Sequence, residues 1–152
     1  MRFLSGALFL LLTMTSPVRG DFMQALSAYD AGDYGAAFSE WRRLAEQDDT
    51  EAQVALAGLY EAGLGTRQDF AAAARWYQRA AEQGHTIAAL NLGDMYATGR
   101  GVERNPVLAW VWLAWAARAG NTWAQSRRDA VAVDMTAAQR AEARAQLNRV
   151  HR

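Results

Sequence analysis

The sequence contains no cysteine, which excludes disulfide cross-links, thiol chemistry and a lipidated N-terminal cysteine. Lysine is absent as well, because all 16 basic residues are arginine, so a phosphate-binding loop of the lysine-bearing type has no place here. Histidine is limited to His85 and His151; without thiolates these provide no ligand cluster for a metal. No convincing strand run interrupts the helix-like segments. Net charge is zero. Neither a metal nor any other cofactor is expected.

What is present begins with Arg2, the apolar run Phe3 to Met14, and Thr15-Ser16-Pro17-Val18-Arg19-Gly20. This is the pattern of a secretory signal with cleavage after Gly20, and the run is short for a membrane span. Residues 1–20 are therefore set apart as a signal peptide, and 21–152 are expected to form one domain with its own core. The lysine-free, alanine-rich composition suits a GC-rich bacterial genome, and export from such a cell points to a Gram-negative periplasm. Between Asp21 and Asp69 ten acids face three arginines, whereas Arg127 to Arg152 holds six arginines and three acids. Solvated charges are the expected explanation of this asymmetry, and orientation of a charged partner is the alternative.

The stretch Tyr60 to Asp69, YEAGLGTRQD, returns 36 residues later as YATGRGVERN, Tyr96 to Asn105. The same shift aligns Ala52 with Ala88, Leu56 with Leu92, Trp76 with Trp112, and Gly84 with Gly120. Such a repeat has to be recognised before either G-x-G is read as a phosphate cradle. Within each unit the apolar residues recur with a helical period, first at Ala52, Leu56, Leu59 and Tyr60, then at Ala73, Trp76, Tyr77, Ala80 and Ala81. Gly63, Gly99, Gly84 and Gly120 fall just past the helix ends, Asp69 and Asn105 precede the second helices, and Pro106 suits a first helical position. The pattern predicts an all-α fold, an α-solenoid of antiparallel helix pairs. Its parts are a half or degenerate repeat over 21–48, repeat one over 49–84, repeat two over 85–120, and a partial repeat with a capping helix over 121–152. Thr136 and Gln139 are placed to form a capping box at the start of that last helix.

These landmarks, A-x-x-x-L-[AG]-x-x-Y-x-x-G-x-G followed by A-x-x-W-[YL]-x-x-A-A-x-x-G, resemble the Sel-1-like repeat (SLR) family, relatives of the tetratricopeptide repeat. The resemblance implies a non-enzymatic scaffold that binds a protein or peptide. In tetratricopeptide-like proteins the first helix of each pair lines the binding groove. Carried over by the landmarks, the protein-binding positions are Glu51, Val54, Gly58, Glu61, Ile87, Leu90, Asp94, Thr98 and Trp123, with Ala62, Ala97 and Ser126 beside them. An apolar floor edged by solvent-facing carboxylates would suit a peptide of basic character better than an anionic polymer, so no nucleic acid is expected as a partner.

The rival reading is an envelope glycan-binding module or a hydrolase. It would use Glu61 and Asp94 as a carboxylate pair, with tryptophans stacking on a sugar. Tyr60, Trp76, Tyr96 and Trp112 recur with the repeat and are expected in the core. Trp110, Trp115 and Trp123 stand where the preceding unit has Ala74, Arg79 and Ile87. They are expected to close the core against the last helix, with exposure toward a ligand as the alternative. No residue set meets the requirements of catalysis, so the chain is expected not to be an enzyme.

Overall fold

The structure, a computed structural model, describes residues 17–150. The apolar run of the expected signal peptide lies outside these residues. Eight helices follow one another among the described residues: α1 (Pro17–Asp30), α2 (Tyr34–Glu46), α3 (Thr50–Ala62), α4 (Phe70–Glu82), α5 (Thr86–Thr98), α6 (Pro106–Arg118), α7 (Thr122–Val133) and α8 (Ala137–Val150). No helix among them is long and apolar enough to cross a membrane. Because α1 begins at Pro17, its first turn spans the boundary expected after Gly20.

Side chains that accept backbone amides start the helices. Asp49 accepts from Ala52, Asp69 from Ala72, and Asn105 from Val107 and Leu108, with Pro106 at the first helical position. His85 does the same for α5, its Nδ1 accepting the Ala88 amide at 3.2 Å. It is a helix cap in the position that Asp49 and Asn121 fill in the neighbouring units. The capping box of α8 forms in both directions between Thr136 and Gln139.

Each helix packs on its sequence neighbours from α1 to α7, so every second helix is held between its own first helix and the next one. Alanines permit the close approach: Ala73, Ala80, Ala88, Ala109 and Ala116 are fully buried beside Leu56, Leu92 and Leu113. Tyr60, Trp76, Tyr96 and Trp112 are half-buried against this core, and Tyr60 and Trp76 join its two largest clusters. Gln53 is the buried polar exception. Its amide donates to the Ala45 carbonyl, and its own oxygen accepts from Gln83, which ties α2, α3 and α4 together.

The G-x-G loops are built alike. Gly63 and Gly99 take left-handed conformations and donate to the carbonyls of Leu59 and Met95, ending α3 and α5. The second glycines act between units: a Cβ on Gly65 would strike the Tyr34 carbonyl at the start of α2, and one on Gly101 the Phe70 carbonyl at the start of α4. The loops are therefore structural joints. At the far end α8 leaves the pairing pattern and packs on α6, where Ala143 and Leu147 join Val107, Val111, Ala114 and Met135, with Trp110 and Trp115 against them.

Candidate functional site

The candidate positions lie on one helix of each pair, and none of the nine is buried. α3 carries Glu51, Val54, Gly58 and Glu61, α5 carries Ile87, Leu90, Asp94 and Thr98, and α7 carries Trp123. Their core-facing counterparts on the same helices, Ala52, Leu56, Leu59, Ala88, Leu92 and Met95, are all buried. The helical period thus separates a packed side from an uncovered one. Val54 and Leu90 are intermediate and pack partly against the core.

The carboxylates are placed differently from the expectation of a free acidic edge. Glu61 accepts from Arg100 Nη2 at 2.6 Å and from the Tyr77 hydroxyl at 3.1 Å. Asp94 accepts from Arg127 Nε at 2.7 Å. Both are half-buried and each is neutralised by an arginine further along the chain. Spacing along one helix cannot reveal such pairs, because the loop and the following unit bring the arginines back. Burial pushes the Tyr77 phenol above its ordinary range, and the adjacent Glu61 carboxylate adds to this by disfavouring a second negative charge. Glu51 remains open to solvent, with His85 Nε2 at 3.4 Å.

Glu61 and Asp94, the carboxylate pair of the hydrolase reading, are engaged by separate guanidinium groups. Ser39 and Ser126 donate to carbonyls of their own helices, and His85 is occupied with its cap. Among the described residues no group of three or more potential ligands is placed to hold a metal.

The surplus tryptophans divide. Trp110 and Trp115 pack under α8 as expected. Trp123 departs from that expectation: α8 sits on α6, which leaves the Trp123 ring 63% exposed on α7. Met23 at 55%, Ile87 at 45% and Val133 at 77% are the other large apolar side chains exposed among the described residues. Met23 lies on α1, whose core side is Phe22, Ala25, Leu26 and Tyr29. Sequence reasoning missed Met23 and Val133. The core stripe of α1 was a usable signal for the first, and Val133, 36 residues after Ala97, falls in register with the candidate positions.

Paired helices joined by glycine-gated loops, stacked in register with a helix closing one end, define an α-solenoid repeat protein. A Sel1 repeat family model matches residues 50–85 and 86–121, so the chain carries two adjacent Sel1 repeats and is a Sel1-repeat protein. It is similar in structure to c5321, described as a protective antigen of uropathogenic Escherichia coli displaying an SLR fold. The TM-score is 0.82 at 26% identity, over 88% of this chain and 29% of that one. A Sel1 repeat protein from Oxalobacter formigenes matches with a TM-score of 0.65 and 32% identity, over 70% of this chain and 43% of its own. Cysteine rich protein B of Helicobacter pylori shares the fold at 20% identity and a TM-score of 0.58, over 75% of this chain and 96% of its own. The chain thus spans less than half the length of the first two structures. No curated protein matches the sequence.

Proposed function

We propose that the chain is a non-enzymatic adaptor of the bacterial periplasm that binds a protein or peptide through a groove lined by its first helices. One observation carries this reading. Among the described residues the exposed large apolar side chains, Met23, Ile87, Trp123 and Val133, all lie on α1, α5 and α7. Single apolar residues scattered over a surface need no explanation, but their restriction to one set of helices marks a face meant to be covered. Because Arg100 and Arg127 neutralise Glu61 and Asp94, the partner's contribution is chiefly apolar. A basic residue of the partner has Glu51 to meet. The periplasmic location rests on the signal-like N-terminus.

The test is affinity capture from a periplasmic extract by the mature chain. A variant carrying Ile87→Glu and Trp123→Glu should lose its partner by about tenfold or more, as expected when central anchors are removed. Arg140→Glu with Arg144→Glu on α8 should retain it, with circular dichroism confirming the fold of both. The opposite ranking assigns binding to the basic C-terminal end and overturns the groove. The exposed ring of Trp123 also favours a second reading, a glycan-binding face. That reading requires soluble glycan fragments to bind the unaltered chain and to be released by Trp123→Ala.

A further inference from the structure

A second site lies between α2 and α4, on the side of the second helices. An open cleft of about 400 Å³ is lined by Arg42, Glu46, Tyr60, Arg75, Trp76 and Arg79. A neighbouring cleft of about 270 Å³ along α2 shares Arg42 and Glu46 and adds Phe38, Ser39 and Arg43. Three of the guanidinium groups are held in place, among them Arg43, which donates to Asp21 and Glu40. Arg79 donates through Nε and Nη2 to Asp48 and lies 5.6 Å from the Trp76 ring centre, and Arg42 donates through Nε to Glu46 at 2.9 Å. Arg75 makes no hydrogen bond or ion pair among the described residues. Donors of Arg42 and Arg75 are left unspent in a cleft whose only lining carboxylate is Glu46.

Comparison with the next junction shows that the repeat does not require these arginines. Between α4 and α6 the equivalent positions are Gln78, Glu82, Tyr96, Val111, Trp112 and Trp115. The glutamate, the tyrosine and the first tryptophan are kept, and all three arginines are replaced by uncharged residues. Val111, the counterpart of Arg75, is buried in the cluster that Ala143 and Leu147 of α8 join, and Trp115, the counterpart of Arg79, packs against that cluster. On the preceding unit the same face is open and cationic.

We infer that the α2–α4 cleft is a second binding site, distinct from the first-helix face, for an acidic peptide segment. Guanidinium forks match carboxylates in geometry and charge, and the aromatic walls accept the carbon stems of glutamate side chains. Two neighbouring clefts that share Arg42 and Glu46 exceed what a single small anion fills, which favours a segment carrying several carboxylates.

The probe is a short fluorescein-labelled polyglutamate peptide, with binding read by anisotropy at low ionic strength. The full mature chain should bind it saturably. Arg42→Gln with Arg75→Gln, which introduces the neutral character of the next junction, should weaken binding by about tenfold or more as two charge-assisted contacts go. Glu46→Gln should tighten it by about threefold, because the competing carboxylate is removed. Ile87→Glu with Trp123→Glu should leave it unchanged, so that failure of the groove and failure of this cleft are separable. Absence of binding to the unaltered chain, or equal weakening by Arg140→Gln with Arg144→Gln, overturns the site. Displacement of the peptide by inorganic tripolyphosphate at equal charge shows a general anion sink and overturns the peptide assignment.

Discussion

At the scale of single residues, the two glycines of each G-x-G do different work. Gly99 caps α5, and an alanine there bears mainly the strain of a left-handed backbone. Gly101 has the same kind of backbone and in addition abuts the Phe70 carbonyl. Gly99→Ala should therefore lower stability by about 1 kcal/mol, and Gly101→Ala by more than about 2 kcal/mol, because backbone cannot move aside as a side chain can. Urea unfolding of the two variants gives the ranking, and equal losses would remove the inter-unit role of Gly101. The first glycine was legible from sequence by the rule for helix ends. The reason for the second was not, because its partner lies some thirty positions earlier and belongs to another unit. That the candidate positions are uncovered follows from the same helical period that buries the opposite stripe. The pairing of Glu61 and Asp94 with Arg100 and Arg127 depends on how loops fold back, which no single-helix pattern contains. Asp48 holds a left-handed conformation 36 residues before Gly84, a place where aspartate is among the tolerated residues.

Among the elements, α8 departs from the pairing that the others follow. A regular unit would lay its second helix on its own first helix, but α8 packs on α6 and covers Val107, Val111, Trp110 and Trp115. Repeat arrays need such a termination, since the last unit otherwise exposes the face that a neighbour would bury. Leu147 is the large side chain of α8 in this contact and is almost fully buried. Leu147→Ala should cost about 2–4 kcal/mol by denaturant unfolding, the range for deleting a buried leucine side chain. A cost near zero would mean that α8 does not seal the array in solution. The start of α8 was readable from its capping box. Its seat on α6 was not, because its own sequence is mostly polar and the decisive apolar residues belong to α6.

Over the whole molecule, the drift from acidic to basic along the chain acquires a structural use. Asp21 pairs with Arg43, Asp48 with Arg79, Glu61 with Arg100 and Asp94 with Arg127, and in each case the acid precedes the arginine. The ion pairs of the last three connect one unit to the next, so the asymmetry that sequence alone left to solvation or partner steering partly serves to stitch units together. Asp94→Arg alone should lower stability by about 1 kcal/mol, and adding Arg127→Asp should recover half or more of it, as a double-mutant cycle on a partly exposed pair would show. Additive losses would mean that the two charges do not interact. The backbone contacts at Gly65 and Gly101 carry a further consequence. Successive units meet through the same abutment of carbonyl against glycine, so no side-chain rotamer intervenes to vary the distance between them. Across these two joints the molecule is thereby a ruler, with Val54 on α3 and Leu90 on α5 held at its spacing. For a partner of the proposed kind, recognition becomes metric as well as chemical: a segment whose own anchors share the spacing engages all of them at once, and one of the same composition with a different spacing does not.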